Sequence, residues 1–296
     1  MTVATEIRHE WRDCGGVHLH CAAAGDAGRP LMLFLHGFPE FWGAWRKLLE
    51  YFAARGWLAV APDLRGYNLS DKPERVEAYS TKHLVADVLA LAAHYTNEKF
   101  VLVGHDWGGA VAWSVAIGHA GKLDRLVMIN SPHPYVFWRE LSNNPAQQKA
   151  SEYMNLFRLP KAERVLSENG FARLLTAFGH LEEAWCRELV AAWSQPGALT
   201  GGLNYYRASP LYPPLPGDEG AKKLRLEPRD FMVRVPTLVL WGERDTALLT
   251  GCLEGLGECV PDLRLVRVPD ASHGIIHEKP ALVCSEIERF VSGQSL

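Results

Sequence analysis

Short, uninterrupted apolar runs alternate with amphipathic segments along most of this chain, and this alternation limits the folds open to it. Leu31–Leu35 (LMLFL) and Phe100–Val103 (FVLV) are typical of strands buried on both faces. Between them, Leu84, Val88 and Leu91 recur at helical spacing. Further apolar runs lie at Trp57–Ala61, Leu126–Ile129, Thr237–Leu240 and Leu263–Val268. Strands alternating with helices predict an α/β fold, with a mostly parallel sheet covered by helices on both faces.

The alternation stops within residues 134–228, where buried-strand runs give way to helical patterns and then to a Pro/Gly-rich stretch near 210–217. The helical patterns lie at about 147–158, 161–178 and 181–193. We therefore expect an α/β core domain made of residues 1–133 and 229–296. Residues 134–228 are expected to form a helical cap inserted after the fourth clear parallel strand.

Charge and apolar patterning exclude several classes of protein. The formal net charge is −3, and no basic stripe suggests binding to nucleic acid or to an anionic membrane surface. Without an apolar run of signal-peptide or membrane-helix length, the protein is expected in the cytoplasm. The 6 cysteines form no metal-binding pattern and are expected as reduced thiols, with a Cys14–Cys21 bridge across a hairpin as the alternative.

The segment Gly104–Gly109 (GHDWGG) connects a predicted buried strand to a helix predicted from Ala110 to His119. A nucleophile between two small residues, placed between strand and helix, is the pattern of the nucleophile elbow. Only small side chains fit the flanking positions of this tight turn, as Gly104 and Gly108 do. Asp106 therefore occupies the position of the nucleophile. The alternative for Asp106 is an ordinary helix-capping residue.

Two later loops supply partners in the chain order nucleophile, acid, histidine. Asp245 lies in the loop after one predicted strand, and His273 follows the next strand. Open α/β sheets hold their functional sites at the carboxyl ends of strands, so we expect Asp106, Asp245 and His273 to meet. Asp270 is the rival acid and ranks below Asp245.

The run His36–Pro39 (HGFP) follows the first parallel strand, where this architecture places half of an oxyanion hole. The backbone N–H groups of Phe38 and Trp107 are the expected donors. Pro39 is a candidate for a cis peptide bond. A plain turn would account for the glycine and the proline, but not for their placement.

An aspartate nucleophile implies a particular chemistry. A carboxylate with an ordinary pKa of about 3.9 is ionised at neutral pH and attacks saturated carbon without a base, forming an alkyl ester. The histidine is then needed only to activate water against that ester, with Asp245 orienting the imidazole. This division of work disfavours ordinary esterase or peptidase activity.

The leaving group decides between the remaining reactions. A halide leaves unassisted, whereas the oxygen of an epoxide requires a proton donor. Tyrosine stays protonated at pH 7 and suits that role. Tyr153 and Tyr206 lie in the predicted cap, where they would donate from above while Asp106 attacks from below. The alternative is that both are packing residues.

Six runs together resemble the soluble epoxide hydrolases of the α/β-hydrolase superfamily, over essentially the full length of the chain. They are His36–Trp42, Asp63–Tyr67, Gly104–Gly109, Pro132–Pro134, Asn204–Arg207 and Trp241–Asp245. The resemblance implies that Asp106 is the nucleophile, Asp245 the acid and His273 the base. It also places the two proton-donating tyrosines on Tyr153 and Tyr206, the latter chosen over its neighbour because it directly precedes the arginine of its run.

Related dehalogenases are the main alternative. Haloalkane dehalogenases usually carry asparagine where this chain has Phe38, and fluoroacetate dehalogenases carry arginines where it has Trp107 and Ala110. Trp107 could still donate to a halide, so a haloalkane or haloacid dehalogenase is the second hypothesis. A non-catalytic binding protein on the same fold is the third. Two departures from the family are Gly274, where an aromatic residue is common, and Asn68, where glycine is frequent.

The leading hypothesis is hydrolysis of an apolar epoxide by water to a vicinal diol, with no metal or organic cofactor. The expected partners are small molecules only, without nucleic acid or membrane, and the protein is expected as a monomer or homodimer. Candidate pocket walls are aromatic, with plain core packing as the alternative for each. They are Phe38, Trp107, Phe137, Trp138, Phe157 and Trp185.

Overall fold

An eight-stranded sheet forms the centre of the molecule, in a computed structural model that describes residues 6–178 and 181–293. The strands are β1 (Arg8–Asp13), β2 (His18–Ala24), β3 (Leu31–Leu35), β4 (Leu58–Pro62), β5 (Phe100–His105), β6 (Leu123–Ile129), β7 (Thr237–Gly242) and β8 (Leu263–Val268). Their spatial order is β1-β2-β4-β3-β5-β6-β7-β8. β2 pairs antiparallel with β1 and with β4, and all other neighbours are parallel. The predicted α/β fold with a mostly parallel sheet is confirmed.

Helices cover both faces of the sheet. The α-helices of the described residues are α1 (Arg46–Ala53), α2 (Thr81–Ala93), α3 (Asp106–His119), α4 (Pro134–Asn143), α5 (Pro145–Ala150), α6 (Glu152–Phe157), α7 (Ala162–Ala177), α8 (Glu183–Trp193), α9 (Ala198–Ala208), α10 (Leu256–Cys259), α11 (Ile275–Glu278) and α12 (Pro280–Val291). Alternate side chains of β3 enter opposite layers: Leu33 joins α2 and α3, whereas Phe34 joins α1 and α12. All five residues of β3 are therefore buried, which explains its continuous apolar run.

Helices α4 to α9 all lie between β6 and β7 in the chain. The predicted helix at 147–158 is two helices, α5 and α6, with Ser151 at the break. α7 is interrupted at Glu168–Phe171, where three successive residues have positive φ. α9 was not predicted because two glycines lower its helix propensity. One of them, Gly201, lets the helix approach the backbone of Gly66, whose carbonyl oxygen would lie 2.3 Å from an added Cβ.

The cysteine thiols are all free, so Cys14 and Cys21 do not form the alternative bridge. In residues 6–178 and 181–293, every helix is too short or too polar to cross a bilayer.

Candidate active site

Asp106 lies at the sharp junction between β5 and α3. Its φ of 49° is in the left-handed region, which costs a non-glycine residue about 1–2 kcal/mol. The turn is closed by small neighbours, as the sequence predicts. A Cβ on Gly108 would lie 2.1 Å from the carbonyl oxygen of Leu35, and one on Gly104 would lie 2.6 Å from Cα of Gly109. The strained turn therefore projects the Asp106 side chain from the carboxyl end of the sheet.

His273 connects the two carboxylates of the predicted triad. Its Nδ1 lies 2.7 Å from Oδ2 of Asp245, and its Nε2 lies 3.6 Å from Oδ2 of Asp106. Asp270 lies elsewhere, with its side chain 61% exposed and its Oδ2 2.5 Å from Nζ of Lys279. The structure thus places Asp245, and not the rival acid, beside the imidazole.

Asn130 fixes Asp245 and was not identified from the sequence. Its Nδ2 donates to Oδ2 of Asp245 at 2.9 Å, and its Oδ1 accepts from the backbone N–H of Gly242 at 2.8 Å. The other oxygen, Oδ1 of Asp245, accepts from the backbone N–H groups of Ala247 and Leu248, each at 2.9 Å. A buried polar residue directly after β6, next to the strand that precedes the acid, was the available signal.

Charges within the site shift its pKa values. Burial alone would lower the pKa of His273, but the adjacent Asp245 carboxylate and the nearby Asp106 raise it to about 9. Burial alone would raise the pKa of Asp245, and the charge and hydrogen bond of His273 outweigh burial and lower it. Burial raises the pKa of Asp106 despite the opposing charge of His273.

Two backbone donors meet the Asp106 carboxylate. Phe38 N–H donates to its Oδ1 at 2.8 Å, and the backbone N–H of Trp107 also acts to lower the pKa of the Asp106 carboxyl group. The Phe38–Pro39 peptide bond is cis. Gly37 is required here, because a Cβ on it would lie 2.3 Å from Cβ of Asp106. The backbone N–H groups of Phe38 and Trp107, the two predicted oxyanion donors, therefore both lie beside the Asp106 carboxylate.

His36 hydrogen-bonds to the backbone of the loop that carries Phe38. Leu64 N–H donates to its Nε2 at 3.0 Å, so its Nδ1 carries the proton and donates to the carbonyl oxygen of Gly37 at 3.0 Å. Burial lowers the pKa of His36, which favours this neutral form.

Tyr153 from α6 and Tyr206 from α9 lie above Asp106, with ring centroids 6.2 Å apart. All three residues line one cavity of about 410 Å³. Burial raises the pKa of both tyrosines, so both hydroxyls are protonated at neutral pH. Tyr205 points away from the cavity and donates to the carbonyl oxygen of Arg65 at 2.9 Å.

Of the six aromatic residues predicted to form the pocket walls, two line the cavity and two contact a lining residue. Trp107 and Phe137 line the cavity. The rings of Phe38 and Phe157 contact Tyr206, at centroid distances of 5.3 and 5.0 Å, but are not among the lining residues.

Trp138 and Trp185 do not line the cavity, contrary to expectation. Nε1 of Trp138 donates to the carbonyl oxygen of Ala221 at 3.1 Å, which holds the ring outside the cavity. Trp185 stacks on Phe41 at a centroid distance of 5.1 Å. Sequence alone could not separate these packing roles from a place in the wall.

A second set of buried polar residues lies behind His273 and was also missed. His105 Nε2 donates to the carbonyl oxygen of His273 at 2.9 Å. The buried carboxylate of Glu40 pairs with His277 at 2.5 Å and lies 3.8 Å from Nδ1 of His105. These contacts fix the loop that carries the imidazole.

The two departures noted in the sequence have different consequences. A Cβ on Gly274 would face Glu278 and Ser272 at 3.6 and 3.9 Å, and Gly274 does not line the cavity. Asn68 has a φ of 38°, and its side chain donates to Asp63 at 2.9 Å. Asparagine therefore replaces glycine in the left-handed region at little cost.

Comparison with known proteins identifies the family of this chain. Residues 30–280 match the alpha/beta hydrolase fold family. The AB hydrolase superfamily protein YfhM of Bacillus subtilis (strain 168) is 37% identical, over 97% of this chain and 99% of its own length. Epoxide hydrolase 3 of Xenopus tropicalis is 37% identical, over 93% of this chain and 75% of its own. This chain belongs to the epoxide hydrolases of the α/β-hydrolase superfamily.

Solved epoxide hydrolases share its structure. The Bacillus megaterium epoxide hydrolase, solved in complex with an inhibitor, aligns with a TM-score of 0.86 at 33% identity, covering 96% of this chain and 100% of that one. An epoxide hydrolase from metagenomes of hot environments aligns with a TM-score of 0.87 at 36% identity, covering 99% and 100%. As a member of this family, the protein is a hydrolase.

Proposed function

We propose that this epoxide hydrolase converts an apolar epoxide to a vicinal diol through a covalent ester on Asp106. The observation that carries the proposal is that the Asp106 carboxylate and the paired rings of Tyr153 and Tyr206 line one cavity. That arrangement supplies a nucleophile and two protonated donors to opposite sides of a strained ring.

In the first step, a carboxylate oxygen of Asp106 attacks one ring carbon. The bond from that carbon to the epoxide oxygen breaks, and the electron pair moves to the oxygen. Tyr153 or Tyr206 transfers its proton to that oxygen, which becomes the first hydroxyl of the product. The second tyrosine donates a hydrogen bond that stabilises the developing charge.

In the second step, His273 takes a proton from water, and the resulting hydroxide adds to the carboxyl carbon of Asp106. The backbone N–H groups of Phe38 and Trp107 stabilise the tetrahedral oxyanion. When the intermediate collapses, the diol oxygen leaves as an alkoxide and takes the proton of the hydroxyl that came from water, which restores the Asp106 carboxylate. His273 keeps the proton it took from water, so the protonated imidazole of the free enzyme is restored and the cycle closes.

The charge balance of the site favours this order. Asp106 is among the groups that raise the pKa of His273. Esterification removes that negative charge, so the pKa of His273 falls. Its proton passes to the tyrosinate left by ring opening, and the neutral imidazole can then act as a base. The base is thus activated by the first step rather than before it.

We further propose that residues 134–228 act as a cap over a core of residues 1–133 and 229–296. The core carries Asp106, Asp245 and His273 at the carboxyl ends of its strands, whereas the inserted helices carry both tyrosines. In this division the core forms and hydrolyses the ester, and the cap selects an epoxide by protonating its oxygen.

The test measures two products from the purified protein without added metal and in the presence of EDTA. Styrene oxide should give phenylethanediol, and 1-bromobutane should give no bromide above the rate without enzyme. Bromide release without diol formation would contradict the proposal and favour a dehalogenase. Recovery of both compounds unchanged would instead favour a non-catalytic protein.

A further inference from the structure

The cavity above Asp106 extends along one face of α3. Ala110, Ser114 and Gly118 line it at successive turns of this helix. With a rise of about 1.5 Å per residue, they lie roughly 6, 12 and 18 Å from Asp106 along the helix axis. The cavity is therefore a channel with the nucleophile near one end.

The mouth of this channel lies at its other end. Thr81 and Gly118 both line the cavity and are exposed to solvent. A Cβ added to Gly118 would meet no atom within 4 Å, so the channel is open at that turn of the helix.

The walls opposite α3 are apolar. They are formed by Pro210, Leu211, Leu224, Leu226 and Phe231. The two serine hydroxyls on the α3 side of the channel form hydrogen bonds within the protein. Ser114 donates to the carbonyl oxygen of Ala110 at 3.0 Å, and Ser131 donates to the carbonyl oxygen of Asp106 at 2.8 Å. Within the described part of the chain, no lysine, arginine or histidine lines the channel. It therefore suits an uncharged apolar substituent and offers no partner for a carboxylate.

The end beside Asp106 is closed by aromatic rings in tilted and edge-to-face contact. Phe38, Phe157 and Tyr206 contact one another at centroid distances of 5.2, 5.3 and 5.0 Å. A separate void on Phe38 measures about 10 Å³ and shares no lining residue with the channel. Such a void holds about one water molecule and cannot receive a second substituent.

From this one-sided shape, and resting on the proposed function, we infer the substrate class. The enzyme acts on terminal epoxides that carry one long, uncharged apolar arm. The epoxide ring lies between Asp106 and the two tyrosines, and the arm follows α3 toward Thr81 and Gly118. Internal epoxides with a substituent on each ring carbon collide with Phe157.

The first test shortens the channel in steps. The kcat/KM of the wild type should increase from 1,2-epoxybutane to 1,2-epoxydodecane, by up to about fourfold for each buried methylene. Ala110→Leu should lower the ratio of kcat/KM for 1,2-epoxyoctane to kcat/KM for 1,2-epoxybutane (the octane/butane ratio) at least about tenfold. Ser114→Leu lies one turn further along. It should instead lower the ratio of kcat/KM for 1,2-epoxydodecane to kcat/KM for 1,2-epoxyoctane (the dodecane/octane ratio). These magnitudes follow from excluding several methylenes from an apolar site.

Gly121→Leu is the matched control. Gly121 follows the same helix, has open space at its Cβ and does not line the channel. This variant should leave both length ratios unchanged. Equal changes in Gly121→Leu and Ser114→Leu, or ratios unaffected by Ala110→Leu, would overturn the inference.

The second test opens the closed end. 1,2-Epoxyoctane and trans-4,5-epoxyoctane are isomers that differ in having one long arm or two short ones. Phe157→Ala should increase the kcat/KM ratio of the internal to the terminal isomer at least about tenfold, because it removes a ring next to Tyr206. The ratio within each enzyme cancels any general loss of activity.

Failure of this inference is distinguishable from failure of the proposed function. If the wild type hydrolyses both octane isomers equally and Phe157→Ala does not change their ratio, the substrate class is wrong while epoxide hydrolysis stands. If the wild type opens no epoxide of either series, the proposed function fails, and the inference fails with it.

Discussion

Nε2 of His273 lies 3.6 Å from Oδ2 of Asp106, so the proposed base and the proposed nucleophile are in direct electrostatic contact. The negative charge of Asp106 helps to raise the pKa of His273 to about 9. In the free enzyme at neutral pH, the imidazole is therefore protonated and stabilises the carboxylate. Loss of that charge on esterification couples the two steps of the reaction.

Removal of the Asp106 charge should lower the pKa of His273. In Asp106→Asn the side chain keeps its shape but no longer attracts a proton to the imidazole, so the titration midpoint should move below 9 toward neutral pH. NMR titration of the His273 ring protons in both proteins measures this shift. A midpoint that stays in place or rises would show that the two groups are not coupled.

Asp245→Asn should separate the two steps. Asp245 contacts His273 but not the attacking carboxylate, so ester formation should persist while ester hydrolysis slows by about 10³–10⁴. Rapid-quench single turnovers with mass detection measure both rates. Asp270→Asn serves as the control, because Asp270 pairs with Lys279 on the surface, and its rates should match the wild type. Equal slowing of both steps in Asp245→Asn would contradict the assigned role.

Replacement of the cavity tyrosines should slow ring opening selectively. Tyr153→Phe and Tyr206→Phe should each reduce the rate of ester formation at least about tenfold, and the double variant by about 10²–10⁴, since both remove a general acid. Stopped-flow quenching of tryptophan fluorescence or quenched mass analysis follows the step. Tyr205→Phe is the control, because that hydroxyl bonds to Arg65 outside the cavity. A similar loss in Tyr205→Phe would assign the effect to packing.

Asn130→Ala should destabilise the fold more than its size suggests. The substitution leaves the buried N–H of Gly242 without a partner and removes one of the two hydrogen bonds to Oδ2 of Asp245, which costs about 1–3 kcal/mol of the free energy of unfolding. Urea denaturation measures the loss. Asn143→Ala removes only an exposed bond to its own helix and should change stability by less than about 0.5 kcal/mol. Equal losses would show that Asn130 is not a structural support of the acid.

The sequence predicts the core of this fold well because parallel strands buried on both faces appear as continuous apolar runs. β3 and β8 have the expected bounds, Leu31–Leu35 and Leu263–Val268. Chain order and strand ends also sufficed to select Asp106, Asp245 and His273, since parallel strands bring their carboxyl ends together. The geometry then places all three side chains in contact.

Other features depend on tertiary contacts that leave little local signal. α9 forms despite two glycines because Gly201 packs against Gly66. Asn130 acts through hydrogen bonds to Gly242 at the end of β7 and to Asp245. These residues lie 112 and 115 positions later in the chain. The place of Trp185 on Phe41, away from the channel, depends on how the helices of residues 134–228 are arranged.

The ester on Asp106 is the central claim, and intact-mass analysis of His273→Gln tests it most directly. This variant keeps the nucleophile and the tyrosines but lacks the base that activates water. After incubation with styrene oxide, the protein should gain the mass of one substrate molecule, and peptide mapping should place that mass on Asp106. An adduct on another residue, or no adduct while the wild type turns over the same epoxide, would contradict the mechanism.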